Sequence, residues 1–273
     1  MFSFTLLVSN RIEVGTAVAV FAIVHLLLYP ASNAFNSFYD RDEGSIGGLE
    51  FPPPVSRHLL YTALILDLVA ITLGWFVTPW FALLLAFYGF NSKAYSYDRI
   101  RLKRFAVFSW ILVGLGQGAI TIIMFHLALS GGNIGAAVAP DVLILASLAS
   151  LFLMASYPLT QVYQHDEDRR RGDRTISMLL GIRGTFLFSG SFFTFVIAGF
   201  AIFFARINGL IFGGLFLVSQ IPTAWYFLQW FVRVRKDVAA ADFRSAMRTN
   251  TISATGLNAF CLAVLVMRYI GKG

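Results

Sequence analysis

Two short stretches of this chain place polar side chains at helical spacing inside otherwise apolar sequence. Asn33, Asn36, Ser37 and Asp40 recur at i, i+3, i+4 and i+7, and Gln161, Gln164, His165 and Asp168 repeat that pattern. Each set forms one polar stripe if its segment is helical. Carboxylate and carboxamide oxygens arranged this way are hard donors suited to Mg2+, which takes one or two carboxylates and completes its octahedron with water and phosphate oxygens. Asn36, Asp40, Gln164 and Asp168 are therefore the candidate metal ligands, and Asp40 and Asp168 the candidate catalytic acids. Asn33, Gln161 and His165 border the stripes and are expected to line the pocket, with His165 positioned to assist proton removal.

The cations needed opposite such a site are present. The segment AYSYDRIRLKRF carries Tyr95 and Ser96 ahead of Arg99, Arg101, Lys103 and Arg104, and Arg41 directly follows Asp40. Fixed cations stabilise charge that develops on a departing phosphate group. Arg101, Lys103 and Arg41 are accordingly assigned to diphosphate binding. Asp42, Glu43 and Glu167 read as solvated loop charges. The glycines of GLGQG, 114 to 118, have no strand beside them and read as close helix packing in place of a phosphate loop.

The two acidic stretches are related. YPASNAFNSFYDRD from Tyr29 aligns with YPLTQVYQHDEDRR from Tyr157 at a constant offset of 128 residues, which sets Asp40 on Asp168 and Gly44 on Gly172. RLKR at 101–104 echoes RVRK at 233–236 more loosely. One domain, 1–273, built of pseudo-repeat halves 1–130 and 131–273 accounts for both, with the site between the halves.

The elements that hold these residues are set by apolar length. The 273 residues are 58% hydrophobic and 13% charged. Apolar windows long enough to cross a bilayer as helix recur at about 13–36, 58–78, 80–97, 106–130, 141–163, 185–205, 209–231 and 250–270. The ten-residue alternation of a membrane β-barrel is not found, so the expected fold is an all-α bundle of about eight transmembrane helices around a central cavity. Alternating the loops puts sixteen Lys and Arg on one side and four on the other. By the positive-inside rule the acidic stretches are cytoplasmic, in an inner or cell membrane. The net charge of +7 then reflects orientation in lipid, and nucleic acid is not an expected partner. A cleavable leader before the first window is not expected. Cys261, the single cysteine, excludes an internal disulfide and a thiolate metal site.

NSFYDRDEG, AYSYDRIRLKR and DEDRRRGDRTISMLLG resemble, in order and spacing, the three signature regions of the UbiA superfamily of intramembrane prenyltransferases. That resemblance implies Mg2+-dependent transfer of a prenyl group from a polyprenyl diphosphate to an aromatic or other lipophilic acceptor, with Asn36, Asp40 and Asp168 at motif positions and Tyr95, Arg101 and Lys103 in the loop that such enzymes use for diphosphate binding. A terpene cyclase or a non-aromatic lipid prenyltransferase of the same superfamily shares the motifs. The sequence departs from the pattern at Ser37, Gly44 and Gln164, where carboxylates are usual, which leaves a non-catalytic isoprenoid or lipid carrier as a further alternative. Asp42, Glu43 or Asp166 could compensate only with local unwinding, because their offsets of i+2 or i+3 keep them off the stripes. Superfamily members usually have nine helices, so FSFTLLVSN reads as the remnant of a first helix.

Overall fold

The computed structural model describes residues 1–9, 12–41, 44–45 and 48–270, with the side chains of 269 and 270 excepted. Asp42 and Glu43 lie outside the described residues. The chain folds as an all-helical bundle. A short helix, α1 (Phe2–Val8), precedes α2 (Val14–Asp40), α3 (Arg57–Val77), α4 (Pro79–Ser96) and α5 (Ala106–Leu129). After a one-turn helix at Ile134–Ala137 come α6 (Pro140–Ser156), the short α7 (His165–Arg170), α8 (Ile176–Asn208), α9 (Leu210–Lys236) and α10 (Phe243–Ile270).

Seven of these elements are long and apolar enough to cross a membrane. The window at 80–97 is present as α4, but it falls outside the seven because Asn91, Ser92, Lys93, Tyr95 and Ser96 make one end of it polar. Phe76, Phe195 and Leu210 are more than three-quarters exposed. Large apolar side chains exposed on the outside of a bundle are what a hydrocarbon solvent permits and water does not.

Aromatic packing holds the interior. Phe4 and Leu7 of α1 enter a core with Phe200 and Phe204 of α8, Phe216 of α9 and Phe260 of α10. A second core joins Val24 and Leu28 of α2 to Phe81 and Leu85 of α4 and Phe125 of α5. Cys261 is buried in the first of these, as a packing residue. Asp67, buried in α3, is paired with Lys93 of α4, as a carboxylate inside a membrane bundle requires.

Two helices contain a widened turn. In α2 the segment Ile23–Leu28 is π-helical, and the Tyr29 N–H donates to the Val24 carbonyl. This turn stands directly before Pro30, whose ring has no N–H and would crowd the carbonyl four residues back. In α5 the segment Leu115–Ile120 is also π-helical. The Ala119 N–H is taken by Ser150 Oγ at 2.9 Å, and Thr121 Oγ1 donates to the Gly116 carbonyl at 3.0 Å. The irregular backbone of α5 is thus satisfied partly from the neighbouring α6 and partly from within α5.

GLGQG does what its composition implies at two of its three glycines. A Cβ on Gly118 would lie 2.5 Å from the Ser150 Cα, and one on Gly114 would strike Met154, whereas one on Gly116 would meet nothing within 4 Å. Gly118→Val should therefore destabilise the bundle by about 1–3 kcal/mol through backbone overpacking, and Gly116→Ala should leave it unchanged. Thermal unfolding of both variants in the same detergent checks this, and equal midpoints would refute it.

Candidate active site

The polar end of the bundle is assembled by charge. α2 ends at Asp40 because Arg41 adopts the left-handed conformation at φ 48°, its N–H closing the last turn on the Ser37 carbonyl. Arg101 is left-handed as well, at φ 44°, a backbone state that disfavours residues with a Cβ by about 1–2 kcal/mol. What holds it there is its side chain. Arg101 Nε donates to Asp173 Oδ1 at 2.8 Å and Nη2 to Asp173 Oδ2 at 2.9 Å, a bidentate pair. Its Nη1 reaches Asp98 at 3.1 Å. Two residues on, Lys103 Nζ lies 2.6 Å from Asp40 Oδ1 and 3.1 Å from Asp173 Oδ2. Asp40 and Asp173 are both only 3% exposed. Burial works against the Arg101 guanidinium, but the carboxylates of Asp173, Asp40 and Asp98 together outweigh it and hold the group above its ordinary value.

Above this network opens a cavity of about 960 Å³. Asn33, Asn36, Ser37 and Asp40 line it from α2, Tyr95 and Lys103 from α4 and the following loop, and Gln161, Gln164, Asp168 and Asp173 from the other acidic segment. The cavity follows α2 as far as His25. Fifteen residues of helix separate that histidine from Asp40, about 22 Å at 1.5 Å per residue. Asn36 Oδ1 accepts from Ser96 Oγ, and the Tyr95 and Tyr157 hydroxyls bond each other. Asp40 and Asp168 both lie within electrostatic range of that tyrosine pair. The two stripes thus meet across one space.

Several expectations are corrected. The second stripe is not one continuous helix: α6 stops at Ser156, a 3-10 turn spans Tyr157–Thr160, and α7 starts afresh at His165. Gln161, Gln164 and Asp168 still line the cavity, but His165 does not. Its Nε2 bonds the buried Ser177 Oγ at 2.8 Å, and burial, with Arg169 nearby, pushes its imidazole below the ordinary value. Arg41 is exposed and does not line the cavity either, since its left-handed backbone carries the chain out of the helix. Arg101 does not line the cavity; it stands behind the wall, paired with Asp173 and Asp40. Asp166 is almost fully exposed and pairs with Arg169, so it replaces no missing carboxylate. Gln161 Oε1 accepts the Ser177 N–H at 3.3 Å, and Gln164 Nε2 donates to the Ser45 carbonyl at 3.3 Å, tying one acidic segment to the other.

Two carboxylates emerge that the helical stripes did not single out. Asp173 lies five residues beyond Asp168, off the stripe, and only folding puts it on Arg101 and Lys103. Glu167 lies against Gly44: a Cβ there would be 3.0 Å from Glu167 Oε2. A carboxylate therefore approaches the position where the resemblance expects one.

The UbiA prenyltransferase family model matches residues 1–252. The chain belongs to this family. Its fold is shared by solved UbiA homologues at low sequence identity. The apo structure of one from Aeropyrum pernix K1 is 19% identical, with a TM-score of 0.70 and 94% of each chain covered. A homologue from Archaeoglobus fulgidus bound to DMAPP and Mg2+ is 17% identical, with a TM-score of 0.64, covering 97% of this chain and 92% of that one. A UbiA homologue from Archaeoglobus fulgidus bound to GPP and Mg2+ gives 16% identity and a TM-score of 0.65, covering 97% of this chain and 94% of that one. No curated protein matches the sequence.

Within this UbiA-family site the Arg101–Asp173 pair is the element whose loss is most damaging, because removing one member of a buried pair strands the other charge. Asp173→Asn is expected to lower stability by roughly 3 kcal/mol, read as a drop in unfolding midpoint in detergent. Asp166→Asn, on an exposed pair, should leave the midpoint in place, and matched behaviour of the two variants would contradict the assignment.

Proposed function

We propose that the chain transfers a prenyl group from a polyprenyl diphosphate to a lipophilic acceptor within the membrane, with the acidic end of the cavity cytoplasmic. The observation that carries this is the convergence of Asp40 and Asp168, from separate segments, on one elongated cavity whose polar end also presents Lys103. A diphosphate fits the charged end and an isoprenoid chain the apolar remainder. The acceptor's nucleophilic atom bonds to C1 of the prenyl group as the C1–O bond breaks. Its electron pair leaves on pyrophosphate, and the acceptor's displaced proton passes to pyrophosphate or water.

The donor set fits Mg2+. Among the described residues no group of three or more His, Cys, Asp or Glu side chains gathers as a metal site. Asn36, Asp40, Gln164 and Asp168 do line the same cavity, which suits an ion that keeps few protein ligands and takes the rest from phosphate and water. Asn36, Asp40, Gln164 and Asp168 would hold it. When bound, Mg2+ supplies positive charge to the diphosphate oxygens and so favours departure of pyrophosphate. The protein's own part is fixed charge and position. Lys103 carries a cation to the leaving group, and Asp40 and Asp173 hold that ammonium in place. Arg101 sets the position of Asp173. Tyr95 and Tyr157, bonded to each other in the wall, give the reacting carbon an aromatic and largely dry surround.

Ser37, Gly44 and Gln164, standing where carboxylates are usual, support a second reading as an isoprenoid carrier. The two separate experimentally. Asp40→Ala should reduce prenyl transfer at least a hundredfold, within the range that charge-stabilising groups supply, while gel filtration in detergent shows the folded protein; retained turnover would sink the site assignment. Mg2+ titrated calorimetrically should bind weakly alone and tightly with a prenyl diphosphate present, because most of its ligands come from phosphate. Diphosphate binding indifferent to Mg2+ would instead favour the carrier.

A further inference from the structure

Away from its charged end the cavity carries carboxamide side chains from three helices, and contacts between those helices show that they share one level. Along α2 and α4, Asn36 Oδ1 accepts from Ser96 Oγ, and the Tyr29 and Tyr88 rings lie 5.8 Å apart. These two helices therefore run parallel, with Asn33 level with Asn91 and Ser92. Along α2 and α5, the His25 and Phe125 rings stack at 6.1 Å, and the Tyr29 hydroxyl bonds Thr121. These two run antiparallel, so one turn from Tyr29 and Thr121 toward the charged end brings Asn33 level with Gln117. Asn33, Asn91 and Gln117 all line the cavity. Seven residues of helix place this collar about 10 Å along the axis from Asp40.

The collar has hydrogen-bonding capacity that the protein does not use. Asn33 and Gln117 are exposed, and neither side chain is hydrogen-bonded among the described residues. Asn91 Nδ2 donates to the Phe87 carbonyl of its own helix at 2.8 Å, which leaves its Oδ1 open to a donor. Gln117 stands in the middle of the widened turn Leu115–Ile120. Beside it a Cβ on Gly116, which also lines the cavity, would meet nothing within 4 Å, so there is room for a ligand. Carboxamides at membrane depth are costly unless they find partners, and three at one level mark a place where something polar is held.

Two of the three molecules in a prenyl transfer cannot supply that partner. The diphosphate is held about 10 Å away by the charged end, and an isoprenoid chain has no hydrogen-bonding group. The acceptor remains. The open Asn91 Oδ1 requires a donor, which a hydroxyl provides and a carbonyl or ether does not, while the amides of Asn33 and Gln117 can both donate and accept.

We propose that Asn33, Asn91 and Gln117 form the acceptor subsite, and that the acceptor is a lipophile bearing a hydroxyl group which these carboxamides hold. This rests on the prenyl-transfer reading above and specifies its second substrate. The hydroxyl oxygen, or a ring carbon conjugated to it, supplies the electron pair for the new bond to C1. The C1–O pair leaves on pyrophosphate, and the acceptor's proton passes to pyrophosphate or water. The interval of about 10 Å between the collar and Asp40 takes the diphosphate and the reacting carbon.

The test uses the full chain in detergent with Mg2+ and the unreactive thiolodiphosphate of geranylgeraniol, and two acceptor probes of one skeleton and nearly one size, 2-naphthol and 2-methylnaphthalene. By calorimetry the naphthol is expected to bind about tenfold tighter than the hydrocarbon. Replacing Asn33 and Gln117 together by Leu should cut that preference at least about fivefold and leave the Mg2+-dependent affinity for the diphosphate where it was. In turnover with radiolabelled geranylgeranyl diphosphate, the same variant should raise KM for the naphthol and not for the diphosphate, a split that a general loss of packing would not give. Equal affinity for the two probes, no binding of the naphthol, or a preference kept in the folded double variant would each overturn the proposal. The wild-type comparison decides it if that variant does not fold. Mg2+-dependent diphosphate binding that survives such a result would keep the prenyl-transfer reading. Loss of diphosphate binding in the wild type would remove both.

Discussion

The arrangement of the polar end depends on one buried interaction, the bidentate pair between Arg101 and Asp173 with Lys103 bridging Asp173 to Asp40. These four groups come from three separated parts of the chain: the end of α2, the loop after α4 and the turn after α7. Their mutual neutralisation is what allows two aspartates to be buried at all. It also offsets the strained backbone at Arg101, because a left-handed residue persists where surrounding contacts over-determine it. With that turn in place, Arg101 braces the carboxylates from behind while Lys103 reaches the cavity.

The two Tyr-Pro pairs show how one dipeptide can be accommodated in opposite ways. Before Pro30 the helix widens by a π-turn and continues, carrying Asn33, Asn36 and Asp40 on a single face. At Pro158 the chain tightens into a 3-10 turn, leaves the helix and restarts at His165. Widening keeps the stripe regular. Tightening breaks it, which turns His165 onto Ser177 and frees the segment from Gln161 to Asp173 to wrap the polar end. The two acidic stretches are therefore parallel in chemistry and different in backbone.

A family resemblance with missing carboxylates becomes easier to interpret once the surroundings are visible. Glu167 approaches Gly44, and Asp173 adds a buried acid to the cavity rim. Neither occupies a helical stripe, so neither could be ranked by periodicity.

Much was legible in the amino-acid order alone. Apolar length determined an all-helical membrane bundle, since a backbone in hydrocarbon must satisfy its own hydrogen bonds. The i, i+3, i+4, i+7 spacing placed Asn33, Asn36 and Asp40 on one face, and the 128-residue offset pointed to Asp168 as their counterpart. Asp67 within an apolar helix announced a partner without naming it. Tertiary structure alone decided that the partner is Lys93, that Arg41 and His165 turn away from the cavity, that Asp173 enters it, and that Gln117 comes level with Asn33. The reason is common to all of these. Periodicity describes one helix in isolation, whereas ion pairing, left-handed turns and the choice between widening and breaking at a proline are settled by contacts between segments far apart in sequence.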